Sequence, residues 1–165
     1  MEDKDAYYEL REKAAEALGK IRDAKAVEPL VRIAWRDTEY SVRCLAVIAL
    51  GDIGDSRAVD VLTGLLTEKN DPLTVRIRGL AAEALGKIRD SRATGRLIEV
   101  VEDPREELWV KDNAIWALGQ IGDRRAVGPL VKAVKTQLDT GNDGSPWMLI
   151  QALDKLGFFD SHDNG

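Results

Sequence analysis

Leu50-Gly51-Asp52-Ile53-Gly54-Asp55 is one copy of a phrase that returns through the chain. It is preceded by Leu18-Gly19-Lys20-Ile21-Arg22-Asp23, and followed by Leu85-Gly86-Lys87-Ile88-Arg89-Asp90 and Leu118-Gly119-Gln120-Ile121-Gly122-Asp123. A decayed echo stands at Leu153-Asp154-Lys155-Leu156-Gly157. The successive leucines are 32, 35, 33 and 35 residues apart. A near-constant interval of that size predicts stacked supersecondary units, each with an apolar face that only its neighbours bury.

Between the phrases, apolar residues recur at the i, i+3, i+4 and i+7 spacing of a helix, and no segment reads as a strand. Each unit divides into two helices. An outer type, helix A, carries Ala-Val-x-x-Leu-Val/Leu at Ala26 to Trp35, Ala58 to Leu66, Ala93 to Val101 and Ala126 to Val134. An alanine-rich type, helix B, ends in the repeated phrase and spans about 5–19, 39–51, 72–86, 105–119 and 145–156. The expected layout is one solenoid over 1–157: a leading B helix at 5–20, then units at about 24–52, 56–87, 91–120 and 124–157, with a short acidic tail at 158–165.

Punctuation fits this division. Gly19, Gly51, Gly86 and Gly119 sit where B helices are expected to stop, so they read as C-terminal caps in the left-handed conformation that glycine adopts without strain. Asp23, Asp55, Asp90 and Asp123 precede helix A, where a carboxylate accepts from free amides and meets the positive end of the helix dipole. Pro29 and Pro129 require helix A to begin within a turn before them. Pro72, Pro104 and Pro146 are expected to open B helices.

Ala-Val-Glu-Pro-Leu-Val, then Asp and Val-Arg, then Ala-x-Ala-Leu-Gly-x-Ile-x-Asp resembles a HEAT repeat, and more narrowly the HEAT-like repeats named after phycobilisome lyases. The resemblance covers about residues 5–157 and implies an all-α, right-handed solenoid of helical hairpins. It also implies that an aspartate in the A–B turn lies near an arginine early in B, as Asp37 and Arg43 would, with Asp5 and Arg11 as a partial copy. Asp71 is displaced by one position relative to Arg78, and Lys111 replaces the arginine in the fourth B helix, so the second half departs from the family's pairing pattern. The leading B helix lacks its A partner. Tyr7, Tyr8 and Leu10 as an improvised cap, an excised longer array, and cover from another subunit are the three readings of that end.

Composition narrows function by exclusion. The 165 residues carry a net charge of −5, with 44% hydrophobic and 32% charged residues, and acids and bases are interleaved along the helices. Nucleic acid and anionic membrane need clustered Lys and Arg, so neither is expected as a partner. Cys44 is the one cysteine, no apolar run approaches a membrane span, and no secretory leader pattern opens the chain; a cytoplasmic setting is expected. Catalytic signatures are lacking: His162, the one histidine, lies in the tail, and no HExxH, CxxC, Walker A or Rossmann glycine pattern occurs. No cofactor or metal is expected. Iron-dependent deoxyhypusine hydroxylases also use HEAT-like repeats, but their paired His-Glu ligands have no counterpart here.

The B helices are expected to line the concave side. With Arg43 and its equivalents as position zero and 100° per residue, positions −1, +3, +6 and +7 face the core, as Val42, Ala46, Ala49 and Leu50 do. Positions −2, +1, +2 and +5 are expected to face outward. In the first B helix these are Glu9, Glu12, Lys13 and Glu16, an ordinary solvated face. In the later ones they are Ser41, Cys44, Leu45 and Ile48; Arg76, Gly79, Leu80 and Glu83; Trp109, Asp112, Asn113 and Trp116; then Trp147, Met148 and Gln151. Three of the four tryptophans fall on this strip, and exposed apolar surface rich in tryptophan marks a binding site.

The strip therefore predicts a non-catalytic scaffold that binds an apolar or amphipathic segment of another protein, with some basic residues to meet Glu9, Glu12, Glu16 and Asp112. The partner-binding candidates are Cys44, Leu45, Ile48, Arg76, Leu80, Glu83, Trp109, Asp112, Asn113, Trp116, Trp147 and Met148. A homodimer through the same strip is a further reading. The lyase resemblance implies another, in which the tryptophans stack on a bilin and Arg76 meets a propionate. Packing of these side chains on one another as extra core is the competing structural reading, and Trp35 reads as a core or edge residue.

Overall fold

A computed structural model describes residues 4–69, 74–140 and 146–159. Among them are nine α-helices and no strand: α1 Lys4–Ile21, α2 Val27–Arg36, α3 Tyr40–Ile53, α4 Val59–Leu65, α5 Thr74–Ile88, α6 Thr94–Glu102, α7 Leu108–Ile121, α8 Val127–Thr140 and α9 Pro146–Lys155. The odd-numbered helices are the B type and the even-numbered the A type. Each odd helix packs closely on the next odd one, whereas the even helices touch each other sparsely. The two rows form an all-α solenoid, drawn tight along the B row and splayed along the A row.

The tight row comes from glycine. Gly19, Gly51, Gly86 and Gly119 lie inside their helices, not at the caps expected for them. A Cβ built on each would stand 3.0, 2.8, 2.8 and 3.1 Å from the Cα of Ala49, Ala84, Ala117 and Ala152 on the next B helix. The missing side chain sets the spacing between helices. The left-handed caps fall three residues later, at Gly54 and Gly122 (both φ 76°), and at Arg22 (φ 58°) and Arg89 (φ 60°), where a side chain accepts the strained backbone.

Asp23, Asp55, Asp90 and Asp123 do cap, accepting from the backbone amides of Lys25, Arg57, Arg92 and Arg125. Each opens a single 3-10 turn, at Ala24–Ala26, Ser56–Ala58, Ser91–Ala93 and Arg124–Ala126, that feeds directly into the A helix. Arg57, Arg92 and Arg125 then clip neighbouring repeats together by donating to the carbonyls of Ala24, Ser56 and Ser91, at 2.7, 2.8 and 3.0 Å. Pro29 and Pro129 lie in the first turns of α2 and α8, and Pro146 begins α9. Pro104 does not open a helix; it sits in the turn before α7. Pro72, most of the 139–145 loop and residues 160–165 lie outside the described residues.

The charged ladder is shifted by one repeat from its expected pairing. Asp37 accepts from Arg11 of the preceding B helix at 2.9 and 3.1 Å, while Arg43 reaches forward to Glu68 at 2.6 Å and to the Ala34 carbonyl. In the second half Asp71 lies outside the described residues, and Arg78 has another partner. Arg78 donates to Glu106 at 2.8 Å, and both residues are buried. Burial alone would raise the Glu106 carboxyl, but hydrogen bonds from Arg78, the Glu107 amide and Lys69 outweigh it and hold the pKa below the ordinary value.

The apolar core runs the length of the array. Val42, Ala46, Ala49 and Leu50, assigned inward from their positions, are at most 2% exposed, as are Ile77, Ala81, Ala84 and Leu85. At the start, Tyr7 and Leu10 remain more than half exposed, while Tyr8 is half-buried.

Candidate protein-binding face

Three of the four positions taken as outward are open along the B row. Position −2 is exposed in Ser41, Arg76 and Trp109; +2 is half-buried in Leu45, Leu80, Asn113 and Met148; +5 is half-buried in Ile48, Glu83 and Trp116. Leu45, Leu80, Trp116 and Met148 rest on the core with one side and reach the surface with the other. They come from four successive B helices, so they form a seam across the array.

Position +1 is different, and it corrects one of the candidates, Cys44. Cys44 is 5% exposed and belongs to the apolar core. Burial raises its thiol pKa, only partly opposed by a hydrogen bond from Tyr40, so it stays protonated at neutral pH. Tyr40 is itself pushed up to about 12 by burial and by this contact. Cys44 is thus a packing residue off the seam. Trp147, at +1 of α9, is 63% exposed because no described helix follows to cover it. Ile150, at +4, is likewise 51% exposed, whereas Val47, Ala82 and Ile115 at that position are at most 3% exposed. Asp112, also at +1, is half-buried and lines a cavity of about 190 Å³ between α6, α7 and α8.

The tryptophans of α7 combine the binding and packing readings. A Cβ on Gly79 would lie 2.0 Å from Cζ3 of Trp109, and one on Gly86 would lie 2.6 Å from Cζ3 of Trp116. Each indole therefore lies against the backbone of α5 in a slot that glycine leaves empty. Trp109 keeps 45% of its surface exposed, while Trp116 is half-buried. Asn113 donates to the Trp109 carbonyl at 2.8 Å on the same face. The slots have a sequence signal that position counting passed over: in both pairs the tryptophan follows the glycine by 30 residues, and both pairs repeat after seven. Trp35 packs over Gly64 on the outer row and is 50% exposed, an edge residue.

The rim of the seam is polar and mixed in charge. Lys87 donates to Asp52 at 2.9 Å and to Glu83 at 3.0 Å; burial opposes its charge, but these two carboxylates outweigh that and raise its pKa. Glu83 is thereby paired within the protein, and Arg76 is an exposed cation beside Leu80. Among the described residues no group of three or more His, Cys, Asp or Glu could hold a metal ion, and no helix is long and apolar enough to cross a membrane. His162 lies outside the described residues.

HEAT repeats match the sequence over residues 2–76 and 73–141. A search of curated protein sequences gives no match. Among solved structures, a chain in the complex of CpcE and CpcF of phycocyanin lyase from Nostoc sp. PCC7120 is similar, with a TM-score of 0.74 and 24% identity over 94% of this chain and 61% of that one. This chain thus spans less than two thirds of that chain's length. Human deoxyhypusine hydroxylase in complex with glycerol is a more distant likeness, with a TM-score of 0.45 and 18% identity over 90% of this chain and 80% of that one. With the repeat profile spanning most of the sequence, the chain belongs to the HEAT-repeat family.

Proposed function

We propose that this protein is a recognition scaffold without turnover, and that the face of its B helices binds an apolar or amphipathic segment of another protein. One observation carries the reading: Leu45, Ile48, Leu80, Trp109, Trp116 and Met148 make a partly exposed apolar seam across successive B helices, where a face needing only solubility would carry charge. An amphipathic helix laid in such a groove would seat its apolar anchors along the seam. Glu9 and Glu12 at one end, beside a Glu16 already paired with Lys20, favour basic residues on the ligand. That the phycocyanin lyase chain of similar fold occurs in a complex of two proteins agrees with a protein partner.

The test is a titration with two model helical peptides that share a Leu stripe at i, i+3, i+4 and i+7, one with Lys on its polar face and one with Glu. The Lys peptide is expected to bind and to change tryptophan emission, with affinity lost at least tenfold in Trp109→Ala. No binding of either peptide, or equal binding of both by Trp109→Ala and the parent, sinks the proposal. The same likeness in fold favours a bilin as second ligand class, stacked on Trp109 with a carboxylate near Arg76. A visible absorbance change on adding a bilin to the purified protein, lost in Trp109→Ala, would select that reading over the peptide.

A further inference from the structure

Among the described residues, the charged ladder has a fourth rung that its own side chains do not close. Position zero of the B helices holds Arg11, Arg43, Arg78 and then Lys111. Arg11 donates to Asp37, Arg43 to Glu68 and Arg78 to Glu106, acceptors 26, 25 and 28 residues further on. Arg43 and Arg78 also donate backward, to the carbonyls of Ala34 and Glu68. A forked guanidinium thus occupies the space beside these A–B turns and serves acceptors on both sides of it. Gln137 stands 26 residues after Lys111, where the forward acceptor belongs. Glu102 stands nine residues before Lys111, as Ala34 does before Arg43.

Lysine cannot reproduce that arrangement. Its ammonium is a compact charge on a flexible stem, without the planar fork that reaches two acceptors at once. Lys111 makes no hydrogen bond to a described residue, and Oε1 of Gln137 is buried with no donor. Both residues, together with Glu102, line the cavity of about 190 Å³ between α6, α7 and α8. The space is open where the guanidinium would have been.

The lining specifies an occupant. Val101, Pro104, Leu108, Ile115, Pro129 and Ala133 give the cavity apolar walls. Its charged residues are two of each sign, Glu102 and Asp112 against Lys111 and Lys132, and Lys132 already donates to Glu102 at 3.0 Å. A neutral molecule suits such a lining better than an ion. An apolar cavity of about 150 Å³ holds a benzene ring, so this one has room for a ring with one polar group. We infer that the cavity binds a small neutral ring carrying one hydroxyl or NH, of the phenol or indole class, whose donor meets Gln137 in place of the missing guanidinium. The last torsion of a glutamine is soft, so its amide turns to a donor placed in the cavity. The cavity shares no residue with the apolar seam, and the inference stands apart from the function proposed for that seam.

Ligand-observed NMR of the full chain with phenol, indole and toluene tests it. Phenol and indole are expected to bind with a Kd of about 1 mM or tighter. Toluene, similar in size but without a donor, should bind at least about tenfold more weakly, because it leaves the glutamine oxygen unpaired. Lys111→Arg restores the fork, so it should melt about 2 °C or more above the parent and lose at least about tenfold in affinity for phenol. Gln137→Leu should still bind a ring but no longer prefer phenol to toluene. No binding of phenol or indole at about 10 mM overturns the inference. So does a Lys111→Arg variant that melts no higher or binds phenol as the parent does, and so does a preference for phenol that survives in Gln137→Leu.

Discussion

Gly51 and Gly95 are both helical glycines, yet the space around them is opposite. A Cβ on Gly51 would press to 2.8 Å on the backbone of Ala84, while one on Gly95 would meet nothing within 4 Å. Gly51→Ala is therefore expected to cost about 1–3 kcal/mol through overpacking. Gly95→Ala should gain about 0.5–1 kcal/mol, because alanine loses less backbone freedom on folding. Urea unfolding of both variants checks the pair, and equal shifts would refute the crossing. Glycine in the repeated phrase was visible at once, but its purpose was not: a cap and a close crossing both demand glycine, and only the distance to the neighbouring helix separates them. The true caps, Arg22 and Arg89 among them, carry no residue type that would mark a left-handed turn.

At the scale of the elements, capping and cross-repeat pairs hold each hairpin to the next. Asp123 accepts from the Arg125 side chain, from the Arg125 amide and from Thr94, which lower its pKa to about 2. A carboxyl depressed in the folded state contributes stability that is complete above the unfolded value of about 4 and is lost as pH falls through the folded one. Asp55 and Asp90 are lowered in the same direction by Arg57 and Arg92. Stability measured by chemical unfolding should fall between about pH 4 and pH 2, and Asp123→Asn should flatten that fall. Arg78 and Glu106 pair where water barely reaches them, with side chains 7% and 1% exposed. Glu106→Leu alone should cost about 3–5 kcal/mol because it strands the Arg78 guanidinium, whereas the double variant with Arg78→Met should recover most of the loss. Failure of the double variant to recover would mean that packing, not charge, dominates this site. The pairing partner lies one repeat away, so the family resemblance, which implies Asp37 beside Arg43, missed Arg11.

For the whole molecule, the four tryptophans report on how the array is covered. Trp35, Trp109 and Trp147 are 50%, 45% and 63% exposed, and Trp116 is half-buried over Gly86. A neutral quencher should reach the first three and leave a protected fraction that disappears in Trp116→Phe; uniform protection in a monomer would contradict the exposure of the seam. The sequence by itself determined the period, the two helix types and the inward positions −1, +3, +6 and +7, because helical spacing is a local property written within each segment of about a dozen residues. It also brought Leu45, Ile48, Leu80, Trp109, Trp116 and Met148 onto one face. Only the tertiary structure decided that Cys44 is covered, that two indoles fill glycine slots and that Ala17 of α1 stands exposed. Those facts depend on the separation between helices some thirty residues apart, and that separation is set by which side chains are absent at the crossing.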